Sequence, residues 1–433
     1  MVFFASVLAF TLEGASGQSI PQALVGAKLI TISGDEIETG TLVVQDGRIT
    51  AAGPVDAVSI PAGAVRIDCA GKVIMPGLIC THNHVGGIGG ADNSGPIQPD
   101  VRIFDSLNVR DAGFRRVVAG GLTTVNIMPG SGHLLSGRTI YLKMRRGNTV
   151  EDFFIRDADG IVMGGVKMAN GTNSLREMKG FPRTRAKSAA LVRQEFINAG
   201  EYRERLARAG GDLAETPARD VRMETLVDVL EGRKIVHHHT HRQDDIMTVM
   251  RLAEEFDFRV VLHHVSEGWK IADQIAEARV PCSIILVESP GGKLEASELA
   301  FETGAVLERV GVLVAYHTDD WINDSRLFLR SPALGVRAGM SRAGALKAVT
   351  LAGAEMLDLG DRIGSLEPGK DADFVLLSGD PLSVYTKVLQ TWVEGERVFD
   401  RSDPNDRLYA VGGYGAGDDA EPFTCCIADE GNE

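Results

Sequence analysis

The sequence predicts an α/β protein: a (β/α)8 barrel carrying a small β-sandwich domain formed from both chain ends. Three observations predict it. Short apolar runs broken by turn signals fill Ala23 to Val73 and return only near the far end. Between roughly residues 75 and 362, apolar runs alternate with amphipathic segments. Histidine, lysine and aspartate stand where several of those apolar runs stop.

The first pattern is seen in AKLIT, GTLVVQDGRITAAG and VRIDCAGKVIMPG, punctuated by Gly-Asp, Asp-Gly and Ala-Gly. Such punctuation marks antiparallel β-structure. Its counterpart lies in Gly364 to Leu377 and Thr391 to Phe399, so the two ends are expected to pair. The middle supplies candidate strands at 74–80, 122–128, 138–144, 161–167, 235–239, 259–264, 281–287 and 312–318. Amphipathic stretches such as Asp244 to Phe256 and Ser341 to Leu357 lie between or after them. Alternating β and α elements argue for a parallel sheet, and eight strands for its closure. A doubly wound sheet is the alternative, but no glycine-rich phosphate loop is evident. The expected domains are a leader segment at 1–19, a composite β-domain at 20–74 and 363–405, the barrel at 75–362, and a tail at 406–433.

Composition narrows the function classes. At 433 residues the chain exceeds a usual single domain, and 44% hydrophobic with 24% charged residues is ordinary for a globular protein. A net charge of −14 argues against nucleic acid as a partner, because phosphate binding needs clustered Lys and Arg. No apolar run reaches membrane-spanning length, so no membrane partner is expected. The five cysteines (Cys69, Cys80, Cys282, Cys425, Cys426) are scattered and odd in number, which suits neither a disulfide framework nor a zinc ribbon. Met1 to Phe10 is apolar and small residues follow at 14–17, but the first lysine is Lys28. A secretory signal would begin with basic residues, so cytoplasmic and exported locations both stay open.

In a barrel the chemistry sits at the carboxyl ends of the strands. The first candidate strand ends in GLICTHNHVG, with His82 and His84 one residue apart. Alternate strand residues point the same way, so both imidazoles face one point, as two ligands of one metal ion would. A lone HxH is weak evidence. The other strand ends strengthen it. The fourth ends in Gly164-Gly-Val-Lys-Met168, the fifth in Val236-His-His-His-Thr-His241, the sixth in Val260-Val-Leu-His-His264, and the last in Ala315-Tyr-His-Thr-Asp-Asp320.

On these residues the chain resembles the metal-dependent amidohydrolase superfamily, most closely its imidazolonepropionase-like and prolidase-like branch. The resemblance runs through PGLICTHNH, Gly120 to Val125, His239-Thr-His241, His264, Thr318-Asp319 and the closing Gly364-Ser-Leu-Glu-Pro-Gly-Lys-Asp-Ala-Asp373. Cys80 stands where the family usually has Asp. The resemblance implies that His82, His84, His239, His264 and Asp319 ligate one or two divalent ions, with Zn²⁺ the first choice. Lys167 resembles a lysine that in many relatives is carboxylated by CO2 and bridges two ions. Imidazolonepropionases work with one metal and no such lysine, so a plain lysine stays open. His237, His238 and His263 are assigned supporting roles, because alternate strand residues face the helices.

The implied reaction is hydrolysis of a C–N bond, in an amide, a cyclic amide or a dipeptide-like molecule. Metal-activated water would attack, with Asp319 as general base. A phosphotriester or lactone hydrolase and a deaminase are alternatives on the same centre, and a non-catalytic barrel scaffold is the alternative of another class. Specificity lies in loops after strands, where His133, His241, Arg242 and Trp321 are candidate contacts to a small-molecule substrate. A homo-oligomer is expected.

Overall fold

The computed structural model describes residues 19–86, 92, 94–175, 181–287, 293–320, 322–412 and 416. Trp321, Cys425, Cys426, nearly all of the expected leader and most of the expected tail lie outside the described residues. Among the described residues seventeen strands follow one another. They are β1 (Gln22–Leu29), β2 (Ile37–Gln45), β3 (Arg48–Pro54), β4 (Val65–Asp68), β5 (Val73–Pro76), β6 (Leu78–Asn83), β7 (Leu122–Ile127), β8 (Leu135–Arg138) and β9 (Ile140–Lys143). After them come β10 (Val166–Ala169), β11 (Val236–Thr240), β12 (Val260–His264), β13 (Cys282–Ile284), β14 (Val314–Tyr316), β15 (Phe374–Leu377), β16 (Val388–Val393) and β17 (Glu396–Asp400).

Both ends of the chain share one sheet, in the order β17-β16-β15-β5-β1-β2-β3, with β4 also paired to β1. The join is β5 against β15, antiparallel, with Met75 opposite Val375. Leu24, Leu42, Ile74, Phe374 and Trp392 form the core of this sheet. The Phe374 and Trp392 rings stack at 5.3 Å. Gly26 divides β1 at φ +83°, a left-handed conformation that glycine adopts without steric cost, so one half pairs with β4 and the other with β5.

The remaining strands form the barrel in two arcs, β6-β7-β9 and β14-β13-β12-β11-β10-β8. Between β14 and β6 the wall is closed by the Asp319 N–H, which donates to the His82 carbonyl at 3.0 Å. One stave differs from expectation. The strand expected at 138–144 is split into β8 and β9, and it runs antiparallel to both neighbours, β10 and β7. The link at 128–134 is too short for the crossover helix that a parallel neighbour needs. The split falls beside Gly137, at φ +124°, where a Cβ would lie 2.6 Å from the Val101 carbonyl oxygen. The strand expected at 161–167 sits later, as β10. Among the described residues no helix is long and apolar enough to cross a membrane.

Candidate metal centre

Five strand ends bring their side chains to one buried place. His82 is the penultimate residue of β6 and is fully buried. Asn83 turns the chain after it, since its side-chain oxygen accepts the Val85 N–H at 2.8 Å. His84 is thereby placed beside His82, with 3.1 Å between their Nε2 atoms. His84 Nδ1 donates to the Met128 carbonyl at 2.8 Å, which leaves its Nε2 facing Asp319. The Asp319 carboxylate reaches His84 Nε2 at 3.0 Å, His82 Nε2 at 3.4 Å and His264 Nδ1 at 3.9 Å. Asp320 turns the other way and accepts from the Ser325 N–H (3.2 Å) and hydroxyl.

Three residues here use strained backbone. Asp319 has φ +49°, and His264 and Val265 have φ +71° and +54°. Non-glycine residues in this region are uncommon and cost energy, and they cluster where a site must be aimed. At the end of β12 the kink breaks strict alternation, so His263 and His264 both face the interior. His263 was expected to face the helices. Instead its Nδ1 lies 3.2 Å from His82 Nδ1, and its Nε2 lies 3.1 Å from His237 Nδ1. His237 is likewise interior, with its Nε2 2.8 Å from the Tyr141 hydroxyl. The backbone makes room: a Cβ on Gly165 would meet the His237 ring at 2.5 Å. His238 alone of the run faces the helices, where it lines a crevice with Val192, Val249 and Leu252.

His239 and His241 share the interior face of β11. Their ring centroids are 4.6 Å apart, and His239 lies 4.4 Å from His264. Lys167, fully buried on β10, brings its Nζ within 3.1 Å of both His82 Nε2 and Met128 Sδ. Among the described residues it forms no ion pair with a carboxylate. Burial pulls the Lys167 ammonium down to about 7, against the opposing charge of Asp319. Burial also holds His82, His239, His263 and His264 far below the ordinary imidazole range, with Lys167 and neighbouring imidazoles adding to it. Neutral imidazole is the form that binds metal. For Asp319 burial opposes ionisation, but the His84 hydrogen bond and nearby positive charge outweigh it and hold the carboxyl well below its usual range.

The polar bookkeeping points to an ion. Both ring nitrogens of His239, Nε2 of His241, Nε2 of His264 and Oε1 of Glu295 are buried without a hydrogen-bond partner. Buried polar atoms are nearly always satisfied, so this concentration marks a place something else completes. Three groups bring their donor atoms within 4.8 Å of one another: His82 with His264 and Asp319, His82 with His263 and His317, and His239 with His241 and Glu295. Imidazole nitrogen with carboxylate oxygen suits Zn²⁺ and its first-row neighbours.

His317 and Glu295 were not among the residues expected here. His317 stands in the strand-end run AYHTDD, and its Nδ1 bonds Ser283 Oγ at 2.7 Å while Nε2 lies 3.1 Å from His264 Nδ1. Its place beside Asp319 was the available signal. Glu295 comes from a short turn at Leu294–Ala296 and carries no local pattern. His133 is buried in the loop before β8. Arg242 is turned to the surface, where it pairs with Asp244 at 3.0 Å rather than joining the cluster.

A barrel with imidazoles and a carboxylate at its strand ends is the architecture of a metal-dependent hydrolase. Residues 299–399 match the Amidohydrolase family. The crystal structure of an amidohydrolase from Thermotoga maritima MSB8 superposes with a TM-score of 0.81 at 32% identity, over 88% of this chain and all (100%) of that one. The chain belongs to the metal-dependent amidohydrolase superfamily. Amidohydrolase tasK of Hapsidospora irregularis is 26% identical over 91% of this chain, which spans 43% of that longer protein. An imidazolonepropionase of Sphingopyxis alaskensis is 23% identical over 85% of this chain and 94% of its own length.

Proposed function

We propose that the protein is a metal-activated hydrolase that cleaves a C–N bond of the amide, cyclic amide or dipeptide type in a small molecule. One observation carries the reading: an ionised Asp319 stands within 3.9 Å of three imidazoles at the barrel mouth. His82, His84, His264 and Asp319 would hold a divalent ion, for which Zn²⁺ is the first choice, and His239 adjoins them. Such an ion, when bound, lowers the pKa of water to about 7 and polarises a carbonyl.

The chain's own residues supply the rest. Asp319 accepts the proton of the attacking water on a carboxylate oxygen and returns it to the leaving nitrogen. The Met128 carbonyl fixes the His84 ring, and His263 fixes His82 through their Nδ1 atoms, so each presents Nε2. Lys167 is read as a carbamate: a buried amine beside His82, without a carboxylate partner among the described residues, becomes an anionic oxygen donor once it takes up CO2. That two of the three relatives are named amidohydrolases supports an amide-type bond.

Protein purified without chelators should contain a transition metal and hydrolyse members of a panel of dipeptides, N-acyl amino acids and hydantoins. Chelation should abolish turnover and Zn²⁺ restore it. Labelled bicarbonate should give a carbamate ¹³C resonance that Lys167→Ala lacks. Absence of metal, with no activation by any added ion, would sink the hydrolase reading; absence of the resonance would leave Lys167 a plain lysine.

A further inference from the structure

We propose that His263, His237 and Tyr141 form a relay of hydrogen bonds that sets which nitrogen of His82 carries its proton. Tyr141 is thereby a positioning residue for the metal centre, placed toward the opposite end of the barrel. The inference rests on the reading that His82 ligates an ion.

The relay is continuous. His82 Nδ1 lies 3.2 Å from His263 Nδ1, His263 Nε2 lies 3.1 Å from His237 Nδ1, and His237 Nε2 lies 2.8 Å from the Tyr141 hydroxyl. The three histidines are 0% exposed and Tyr141 is 3% exposed. Among the described residues, the His263 and His237 rings and the Tyr141 hydroxyl make no other hydrogen bond. The path starts at the carboxyl end of β6 and runs down the interior. At its far end Tyr141 lines a cavity of about 320 Å³ with Met163, Gly164, Lys234 and Ile235, residues that precede β10 and β11.

Burial keeps all three imidazoles neutral, holding His237 down at about 3 and the other two far below the ordinary range. A neutral imidazole has one N–H and one bare nitrogen, so the direction of one bond dictates the next. Only two orders satisfy every junction. In the first, His82 Nδ1 donates to His263, His263 Nε2 donates to His237, and His237 Nε2 donates to the Tyr141 oxygen. His82 Nε2 is then bare. In the second every bond is reversed, and the proton sits on His82 Nε2, which faces Asp319 at 3.4 Å. Only the first order leaves that nitrogen free for an ion. Each imidazole keeps one proton throughout, so no group changes charge.

His84 needs no such device, because the Met128 carbonyl beside its Nδ1 can only accept. The His82 proton is settled three groups away, at a hydroxyl that both accepts and donates. Without that hydroxyl, the first order strands a buried N–H on His237, whereas the second leaves only a bare nitrogen. The stranded donor is the costlier of the two. Removing the hydroxyl therefore moves the proton onto His82 Nε2, where it competes with the ion.

The test uses the full chain, stripped of metal and titrated with Zn²⁺ against a coloured chelator. Histidine ¹⁵N spectra read which ring nitrogen carries each proton. In Zn²⁺-loaded wild type, His263 and His237 should both be protonated on Nε2. In metal-stripped Tyr141→Phe, His237 should be protonated on Nδ1, and Zn²⁺ affinity should fall by at least about 10-fold, the size of effect that supporting residues have on metal sites. Tyr316 is the control: it is also 0% exposed, but its hydroxyl bonds Met340 Sδ at 3.4 Å, away from the relay. Tyr316→Phe should keep Zn²⁺ affinity within about 2-fold, well short of that loss. A Tyr141→Phe that binds Zn²⁺ as wild type does, or a Tyr316→Phe that loses as much, would overturn the relay and leave the centre standing. So would a loaded wild type with His263 protonated on Nδ1, a result that decides the matter even if Tyr141→Phe does not fold. A wild type that takes up no Zn²⁺ would overturn the centre itself, and the relay with it.

Discussion

Two buried polar clusters, one at the barrel mouth and one where the barrel meets the β-sheet, are completed in opposite ways. At the junction Lys143 is 1% exposed and meets Asp371, with Asp373 at 3.1 Å and Glu394 at 3.2 Å. Arg145 grips Glu394 at 2.6 and 2.8 Å, and Arg48 and Arg362 reach Asp371 at 2.5 and 3.2 Å. Every charge there has an opposite charge beside it. At the mouth, imidazoles crowd around Asp319 and Glu295, and several of their nitrogens have no partner among the described residues. The junction is finished by the chain itself, whereas the mouth is finished by something that arrives. The contrast also sorts the family-like motif Gly364 to Asp373. Its two aspartates serve the junction, so its role is to dock sheet against barrel.

The largest effect expected from breaking this contrast is at Asp319. Side-chain general-base catalysis is worth about 10²–10⁴-fold, and Asp319→Asn would also remove a carboxylate oxygen from the proposed ligand set. Turnover should fall by at least roughly 10²-fold in a protein that still folds. Asp320→Asn, whose side chain serves Ser325, should keep turnover within about 10-fold, well short of the Asp319 loss. A dead Asp320→Asn beside an active Asp319→Asn would put the wrong aspartate at the mouth.

At the junction the expected loss is in stability. Removing one partner of a buried ion cluster leaves uncompensated charge and typically costs about 3–5 kcal/mol. Lys143→Met should lose that much in chemical denaturation, while metal content per folded molecule stays at the wild-type level. If metal content falls with stability, the two clusters are one cooperative unit and the contrast fails.

Much of this was legible in the sequence because it is local or periodic. The HxH on β6, the lysine on β10, the histidines of β11 and Asp319 each close an apolar run, so strand geometry alone gathers them. The pairing of the two chain ends followed from a turn pattern found nowhere between. What could not be read depends on departures from period or on distant chain. His263 shares the interior face of its β11 partner His239, and the left-handed pair His264–Val265 brings His264 in beside it against strict alternation. The reversed third stave follows from a short link rather than from strand composition. Glu295 is brought in by a turn after β13 with no pattern of its own. Lys143 looked like any strand-end lysine, and only its three acidic neighbours, each more than two hundred positions away, mark it as structural.

The smallest effect sharpens the same comparison through pH. Burial alone would raise the Glu394 carboxyl, but the Arg145 hydrogen bond and the Lys143 charge outweigh it and bring it from the ordinary 4.5 down to about 2. A carboxylate whose folded pKa is depressed contributes stability that is fully present above its unfolded pKa and is lost as pH falls through the folded value. Here that window runs from about 4.5 down to about 2. The Glu394 side chain keeps 31% of its surface in water, so solvent screening reduces the contribution to about 1–2 kcal/mol. Glu394→Gln should therefore be less stable than wild type by that amount at pH 7, and the gap should narrow steadily as pH drops below 4.5. Urea denaturation of both proteins between about pH 3 and pH 7 reads it directly, because that range holds the plateau above 4.5 and the upper part of the window below it. A gap that stays constant across the range would mean that Glu394 contributes by packing. The junction would then owe its stability to Asp371 and Asp373, the two carboxylates that are 2% exposed.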